Sequence, residues 1–211
     1  MKKTKRCLVF LCLLLVFVSL VQPVSAKKFD KKEAKKKITV TYKKTTNGIL
    51  AVYKNKNNQN IELTATMHFL ASNKKDITKE TRINYCLGAK TTATLFFSGP
   101  LDEYGNYIVY DSYKASFSVA KSKHKSYAKK IKVTSELKTV EGSFTAVNLS
   151  GKTLSNIDAT IVFYDGSDNI IGCKTKYLNC FAPNAMDQFT VDYVQNAGMP
   201  NRAKVFINAA Y

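Results

Sequence analysis

The chain has 211 residues, and its 33 Lys and Arg outnumber its 15 Asp and Glu, which gives a formal net charge of +18. This length is enough for one large domain or two small ones. The positive charge fits wall polymer, acidic glycan or lipid headgroups as partners. Nucleic acid is excluded from the expected partners, because no recognition motif is present and we predict export from the cytoplasm.

The first 26 residues have the pattern of a secretory signal peptide. The basic start MKKTKR precedes an apolar run from Cys7 to Val21 and the small-residue cleavage site Val24-Ser25-Ala26. The run is shorter than the roughly 20 residues of a membrane-spanning helix. We therefore predict cleavage after Ala26, with an uncleaved membrane anchor as the alternative. After cleavage we expect no transmembrane segment.

A lysine-rich segment, residues 27–37, follows the signal peptide. Its sequence KKFDKKEAKKK has seven Lys against Asp30 and Glu33, and no apolar periodicity. This composition predicts a disordered, solvated tether. Its lysines are candidate contacts to an anionic surface through salt-sensitive attraction: Lys27, Lys28, Lys31, Lys32, Lys35, Lys36 and Lys37.

The rest of the chain alternates apolar and polar residues with period two, which predicts β-strands. Five segments are the clearest: ITVTY, LTATMHF, TATLFF, IDATIVFY and KVFINA. Turn clusters such as NLSGK, DGSDN and APNA separate the predicted strands, and no segment has convincing helical spacing. We predict an all-β protein of immunoglobulin-like β-sandwiches.

An internal repeat divides these strands into two copies. A shift of 94 residues places Phe69 on Phe163 and Cys86 on Cys180 without a gap. The repeat predicts two tandem β-sandwich domains, residues 38–122 and 131–211, joined by a basic linker, residues 123–130. The linker lysines are further candidate anionic-surface contacts: Lys123, Lys125, Lys129 and Lys130.

The second copy resembles the FxLYD family, β-sandwich domains of secreted and surface proteins of bacteria. The resemblance rests on the segment GSFTAVNLSGKTLSNIDATIVFYDGSDNIIG. In this segment IVFYD occupies the end of the strand that carries the family's signature. Tyr164 and Asp165 match the signature, Asn148 fits upstream, and Ile161 and Phe163 replace its Phe and Leu. The first copy keeps the layout without the Tyr-Asp pair. The resemblance implies an immunoglobulin-like fold and an extracellular location, with no catalytic residues and no cofactor.

The acidic segment DGSDN is either a metal site or a turn. Asp165, Asp168 and Asn169 offer oxygen atoms, but a calcium loop usually needs a further carboxylate, and none follows before Asp187. The equivalent ASNKK carries two lysines, which would repel a cation. Asp and Asn bond their own backbone in turns, and Gly166 tolerates positive φ. We therefore predict a turn and no metal site.

No catalytic constellation is apparent. No nucleophile signature surrounds any mature-chain cysteine that could pair with His68 or His124. A strand holding both Cys173 and Cys180 would separate them by over about 20 Å, and a disulfide needs Cα atoms within about 7 Å. Only a turn between Cys173 and Cys180 would allow a bond, and Cys86 lies in the other copy, so we favour three buried free thiols. We expect no enzyme activity, no catalytic residues and no cofactor.

The first copy has a longer return after its strand TATLFF. The segment SGPLDEYGNYIVYDSYKASFSV carries Tyr104, Tyr107, Tyr110 and Tyr113. Exposed tyrosines suit sugar stacking or protein contact. The alternative is an elongated hairpin whose tyrosines alternate between core and surface. These four tyrosines are the candidate ligand patch.

The combined pattern predicts a secreted, non-enzymatic binding or adhesion module of the bacterial cell envelope or extracellular space. Its expected partner is an anionic cell-wall polymer or glycan. The alternative is a structural spacer or accessory subunit of a surface assembly, with another surface protein as partner. We expect a monomer.

Overall fold

The computed structural model describes residues 29–194 and 197–211, so the predicted signal peptide, Lys27 and Lys28 lie outside the described residues. The helical elements are α1 (Lys31–Lys36) and a 3-10 turn (Ala128–Lys130). The strands are β1 (Ile38–Thr45), β2 (Gly48–Asn55), β3 (Ile61–Leu70), β4 (Asp76–Leu87), β5 (Thr92–Ser98), β6 (Ser112–Lys121), β7 (Ile131–Leu137), β8 (Glu141–Asn148), β9 (Leu154–Tyr164), β10 (Ile170–Phe181), β11 (Met186–Asp192) and β12 (Arg202–Ala210). None of the described helices has the length and apolar character needed to cross a membrane.

The strands form antiparallel three-stranded sheets whose order repeats along the chain. The first half, residues 29–122, contains the sheets β1-β2-β5 and β4-β3-β6. The second half, residues 131–211, contains β7-β8-β11 and β10-β9-β12, which is the same order six strands later. The all-β sandwich prediction is confirmed. That each half is an independent domain stays a prediction.

The strand register has the same offset as the sequence repeat. Phe69 lies opposite Thr78 in the β3–β4 pair, and Phe163 lies opposite Gly172 in the β9–β10 pair. Each residue of the second pair therefore lies 94 positions after its equivalent in the first pair. Equal displacement on both strands keeps the same side chains facing the core, because a slip of one residue would turn every side chain to the other face.

Each half has its own apolar core between its two sheets. The first core includes Tyr53, Phe69 and Phe97, and the second includes Phe144 and Phe163, all fully buried. Burying an apolar side chain of this size contributes about 1.5–3 kcal/mol. Strand β3 reaches this core by alternation of buried and partly buried residues from Ile61 to Phe69.

A buried asparagine closes the same end of each half. Asn55 ends β2 and Asn148 ends β8, and both side chains are fully buried. Each Nδ2 lies within hydrogen-bond distance of three main-chain carbonyl oxygens, those of Gln59, Leu87 and Gly88 for Asn55 and those of Lys152, Phe181 and Ala182 for Asn148. Each side chain therefore ties its strand end to the turn that follows the fourth strand of its half.

The prediction of a disordered tether is wrong for residues 29–37, which form α1 and its flanks. Asp30 caps the helix, because its carboxylate accepts hydrogen bonds from the main-chain N–H of Lys32 (2.8 Å) and Glu33 (3.1 Å). Ala34 is buried, and its carbonyl accepts a bond from Asn57 Nδ2 (3.0 Å). Six residues are too few for a visible helical period, so tertiary contacts with the first core decide this helix.

The two halves pack against each other through the outer faces of two sheets. Leu50 of β2 and Phe96 of β5 point away from the first core and pack with Val162 of β9 and Cys173 of β10. All four are buried. Strands with both faces covered have continuous apolar runs, and ILAVY of β2 and LFF of β5 are such runs.

Two asparagines add buried hydrogen bonds to this junction. Asn47 Nδ2 donates to the carbonyl of Cys173 (2.7 Å), and the Cys173 N–H donates to Asn47 Oδ1 (3.1 Å). Asn208 Oδ1 accepts from the N–H of Thr94 (2.7 Å), and its Nδ2 donates to Thr160 Oγ1 (2.9 Å). These bonds satisfy the side chains of both asparagines, which favours one arrangement of the two halves.

Candidate functional site

The segment DGSDN forms the turn between β9 and β10. Asp165 Oδ1 accepts bonds from the N–H groups of Ser167 and Asn169, both at 2.8 Å, and its Oδ2 accepts from Asn169 Nδ2 at 3.0 Å. These bonds lower the pKa of Asp165, with the Asn169 side chain as the largest contribution. Asp168 takes the left-handed conformation (φ 63°) and accepts a bond from Arg202 Nε (2.7 Å). The turn interpretation is therefore correct.

The tyrosine segment contains a second turn of this type, DEYGN. Asp102 Oδ1 accepts from the N–H groups of Tyr104 (2.9 Å) and Asn106 (2.8 Å), and its Oδ2 accepts from Asn106 Nδ2 (3.2 Å). In both turns the carboxylate oxygens accept N–H groups of the turn itself. The described residues contain no group of three or more His, Cys, Asp or Glu placed to hold a metal ion.

The four predicted patch tyrosines do not share one exposed surface. Tyr104 is 81% exposed, and Tyr107 is partly exposed with its hydroxyl 3.4 Å from Asn47 Nδ2. Tyr110 is buried, with its ring centroid 4.8 Å from that of Phe69, so its inclusion in the patch is wrong. The physical reason is that Tyr110 extends the first core.

The fourth tyrosine, Tyr113, lies in β6 and packs beside Tyr42 at a ring-centroid distance of 5.8 Å. Its side chain is exposed, but it lies in a strand and not in the loop that carries Tyr104. The alternation of core and surface tyrosines, which the sequence left open, describes this segment better than a single patch.

The predicted surface lysines of the first segment lie on or beside a folded helix. The five described members are exposed: Lys31, Lys32, Lys35, Lys36 and Lys37. Lys36 Nζ pairs with Glu33 Oε1 at 2.7 Å, and Lys35 Nζ lies 4.9 Å from the ring centroid of Phe117. These lysines form an ordered cationic surface at the start of the first half.

The linker lysines line a cleft between the two halves. A cleft of about 500 Å³ is bordered by Lys125, Lys129 and Lys130, with Asn60 and Ser150 on its polar walls. A neighbouring groove of about 390 Å³ shares Lys129 and adds Lys90. We call this joined surface the lysine cleft and define it by Lys90, Lys125, Lys129 and Lys130.

The charge of the lysine cleft is uncompensated within the described residues. None of its lining residues is Asp or Glu, and none of the four lysines takes part in an ion pair there. All four side chains are exposed, as is Lys123, which does not line the cleft. The arrangement favours an anionic ligand, because like charges that converge without counter-ions attract negative charge.

The linker holds these lysines in place through its backbone. The Tyr127 N–H donates to the carbonyl of Ala210 (2.8 Å), and the Leu149 N–H donates to the carbonyl of Lys130 (2.8 Å). Tyr127 and Ala128 also pack against the second core. The linker is therefore pinned to the second half, and its lysines have defined positions.

Sequence reasoning missed Lys90 as a member of the cleft. Lys90 lies in the turn between β4 and β5, where it has a left-handed φ of 55°, and its Nζ donates to the carbonyl of Lys56 (2.6 Å). It stands alone between Ala89 and Thr91, without the lysine cluster that marked the linker. Only the docking of the two halves brings it beside Lys129.

Both histidine side chains contact residues other than cysteine. His68 Nδ1 is 2.7 Å from Asp76 Oδ2, and the His124 ring lies 4.1 Å from that of Tyr211. Cys86 and Cys173 are buried and free, and burial raises the pKa of Cys173 to about 12. Cys180 is free but exposed, so the prediction that all three thiols are buried is wrong for it.

Comparisons with known proteins give no family. No known family and no curated protein matches the chain. A crystal structure of red sea bream transglutaminase is similar at 14% identity and a TM-score of 0.30, over 89% of this chain and 32% of that chain, so the chain spans about a third of its length. A structure described for promiscuous carbohydrate-binding modules of the β-sandwich superfamily is similar at 8% identity and a TM-score of 0.18, over 82% of this chain and 96% of that chain. At these TM-scores neither similarity carries an argument about function.

Proposed function

We propose that the protein is a secreted, non-enzymatic binding module that attaches to anionic polymers at a bacterial cell surface through the lysine cleft. The observation that carries this proposal is that Lys125, Lys129 and Lys130 line one cleft and Lys90 lines the adjoining groove, with no carboxylate among the lining residues. The signal-peptide pattern and the FxLYD resemblance support the extracellular location. The exposed lysines of α1 offer a second, separate cationic surface for the same partner.

The small free energy of each lysine–anion contact favours a polymeric ligand. One exposed lysine–anion pair contributes at most about 1 kcal/mol. Several lysines contacting neighbouring groups on one polymer act together, because the later contacts form at high effective concentration. A repeating phosphate or carboxylate polymer therefore fits the cleft better than a single small anion, and its binding should weaken as salt screens the charges.

The test is binding of the full protein to immobilised polyphosphate and polygalacturonate, with neutral dextran as reference, at low and high salt. The triple variant Lys125→Gln, Lys129→Gln, Lys130→Gln removes three cleft charges, and we expect about tenfold weaker binding at low salt, which is about 1.4 kcal/mol. The matched control Lys43→Gln, Lys54→Gln, Lys79→Gln removes the same charge from exposed positions of β1, β2 and β4.

Equal losses in the two triple variants would assign binding to overall charge and overturn the cleft as the site. Absence of binding to both polymers would overturn the proposed function. The contribution of α1 is tested by Lys31→Gln, Lys32→Gln, Lys36→Gln and not by deleting the segment, because Ala34 and its hydrogen bond to Asn57 belong to the folded structure.

A second candidate function is a rigid spacer or accessory subunit of a surface assembly. The observation that favours it is the buried junction, in which Asn47 and Asn208 bond across the two halves. Tight, salt-insensitive binding to one surface protein, without binding to either polymer, would support this function over the first.

A further inference from the structure

A notch at the junction combines aromatic walls with a carboxyl group at its base. Its volume is about 70 Å³, and it is lined by Tyr85 of β4, Tyr177 of β10, Tyr211 at the chain end and Asp158 of β9. We call this surface the tyrosine notch and define it by these four residues. Ligand sites between packed units combine apolar walls with a few polar groups and usually have volumes of about 300–1,000 Å³, so this notch can hold one edge of a ligand and does not enclose it.

The aromatic rings of the notch are held in place while keeping accessible surface. Tyr85 is 43% exposed and Tyr177 is 54% exposed. The rings of Tyr85 and Tyr211 meet edge to face at 6.1 Å, and His124 covers Tyr211 at 4.1 Å. The open ring surfaces therefore belong mainly to Tyr85 and Tyr177, on opposite sides of the junction between the halves.

The hydroxyl of Tyr177 is anchored from the first half. Arg82 Nη1 donates a hydrogen bond to the Tyr177 hydroxyl (2.7 Å), and Arg82 also pairs with Glu80. The bond from Arg82 crosses from β4 to β10 and fixes the orientation of the Tyr177 ring. A pre-oriented aromatic ring loses little conformational entropy when a ligand packs on it.

Polar groups at the notch can both accept and donate hydrogen bonds. Burial raises the pKa of Asp158 to about 6, so its carboxyl group is mainly ionised at neutral pH and accepts bonds. Asn156 lines the notch, and its side-chain amide has no hydrogen-bond partner among the described residues. The amide offers two donors and an acceptor at the rim.

We propose that the tyrosine notch binds a neutral sugar ring, with the ring packed on Tyr177 and Tyr85 and its hydroxyl groups bonded to Asp158 and Asn156. The lining of the notch selects this ligand class. Among the described residues, Asp158 is the only charged side chain that lines the notch, and its carboxylate disfavours an anionic ligand. A neutral ring with one apolar face and several hydroxyl groups uses both the aromatic rings and the polar groups.

This site is separate from the lysine cleft and does not depend on it. The two surfaces share no lining residue. Sugar binding at the notch should be insensitive to salt, because no net charge is neutralised, whereas polymer binding at the cleft should weaken with salt. The two proposals can therefore fail independently.

The test is titration of the full protein with hexasaccharides of glucose, mannose and N-acetylglucosamine, followed by calorimetry and by tyrosine fluorescence, since the chain has no Trp. We expect at least one of them to bind, with unchanged affinity at high salt. Tyr177→Ala should weaken that binding at least tenfold, while Tyr177→Phe, which keeps the ring, should weaken it less. Met186→Ala truncates an exposed apolar side chain of β11 outside the notch and should leave the affinity unchanged.

Failure of all three hexasaccharides to bind would overturn the proposal. So would an equal loss of affinity in Tyr177→Ala and Met186→Ala, because the notch would then be no more important than any exposed apolar side chain. A thermal unfolding curve for each variant separates loss of the ring from loss of the fold. Losses in folded Tyr177→Ala and in folded Asp158→Ala, with Met186→Ala unaffected, would support the assignment.

Discussion

The outer face of the β1-β2-β5 sheet is apolar, whereas the equivalent face of the β7-β8-β11 sheet is polar. Leu50 and Phe96 lie opposite each other in the first sheet, and Ser143 and Thr190 lie opposite each other at the same place in the second. The apolar pair is buried against the second half, and Thr190 is exposed. The two halves thus share a topology, and their outer surfaces differ according to what covers them.

The turns after β3 and β9 also share a backbone conformation and differ in their side chains. In both, the first residue donates to the carbonyl of the fifth, at 2.9 and 3.0 Å, and the fourth residue is left-handed: Lys74 with φ 64° and Asp168 with φ 63°. The first residue is Ala71 in one turn and Asp165 in the other. The backbone path therefore does not require the aspartate, which adds hydrogen bonds to a turn already determined by the strands.

The equivalent cysteines Cys86 and Cys180 differ in burial, because different segments surround them. Cys86 is buried and its Sγ lies 3.2 Å from the carbonyl of His124 in the linker, whereas Cys180 is exposed. The linker covers the end of the first half, and nothing among the described residues covers the corresponding position of the second. Equivalent positions in a repeat therefore share backbone placement but not burial.

The largest expected effect comes from giving the first half the polar face of the second. Phe96→Thr places the residue of position 190 at its equivalent in β5 and removes a buried aromatic ring from the junction. Replacing a buried Phe by a small residue typically lowers the free energy of unfolding by about 3–5 kcal/mol. We expect a loss of about 3 kcal/mol in denaturant unfolding, because the cavity lies between halves that can partly close.

The reciprocal variant is the control. Thr190→Phe adds a ring to an exposed face, and surface substitutions of this kind change stability by only about 0.5 kcal/mol. Equal effects of the two variants on the free energy of unfolding would contradict the claim that only the first sheet is covered.

The next effect depends on pH and concerns Asp158, whose equivalent in the first half is the neutral Thr64. Burial raises the Asp158 pKa from 3.8 to about 6, so the folded state holds this proton more tightly than the unfolded state. Protonation of Asp158 therefore stabilises the folded protein by about 2–3 kcal/mol relative to the ionised form. This contribution is complete below about pH 4 and is lost as the pH rises through 6.

Asp158→Asn removes this titration. We expect the variant to gain stability relative to the unsubstituted protein as the pH rises from about 4 to 7, measured as the difference in free energy of unfolding between the two proteins. A difference that is constant across this range would show that Asp158 has an ordinary pKa in the folded protein.

The smallest effect comes from exchanging the first residue of the two turns. Ala71→Asp supplies a carboxylate in the position that Asp165 occupies, and we expect a gain of less than about 1 kcal/mol, similar to a favourable helix cap. Asp165→Ala removes three hydrogen bonds from an exposed turn and should lower the melting temperature modestly. A drop in melting temperature in Ala71→Asp would mean that the two turns are not equivalent in side-chain geometry.

Much of the fold could be predicted because it depends on neighbours in sequence. Period-two alternation places the core face of β3, and the shift of 94 residues places the second half on the first. The spacing of Asp165 and Asn169 around Gly166 predicts a turn, since these side chains bond the backbone a few residues away. A signal for the junction is also present, because ILAVY of β2 and LFF at the end of the alternating TATLFF are continuous apolar runs, but it does not identify the partner surface.

By itself, the sequence of this protein determined its β-strands, their repeat and the turns that join them, because these follow from periodicity and local hydrogen bonding. Only the tertiary structure decided which strands are covered on both faces, that Tyr110 is a core residue and that α1 folds onto the first half. It also brought Lys90 to Lys129 and Tyr85 to Tyr177. These contacts join residues far apart in the chain, and their free energy comes from burial and charge at surfaces that exist only once both halves have folded.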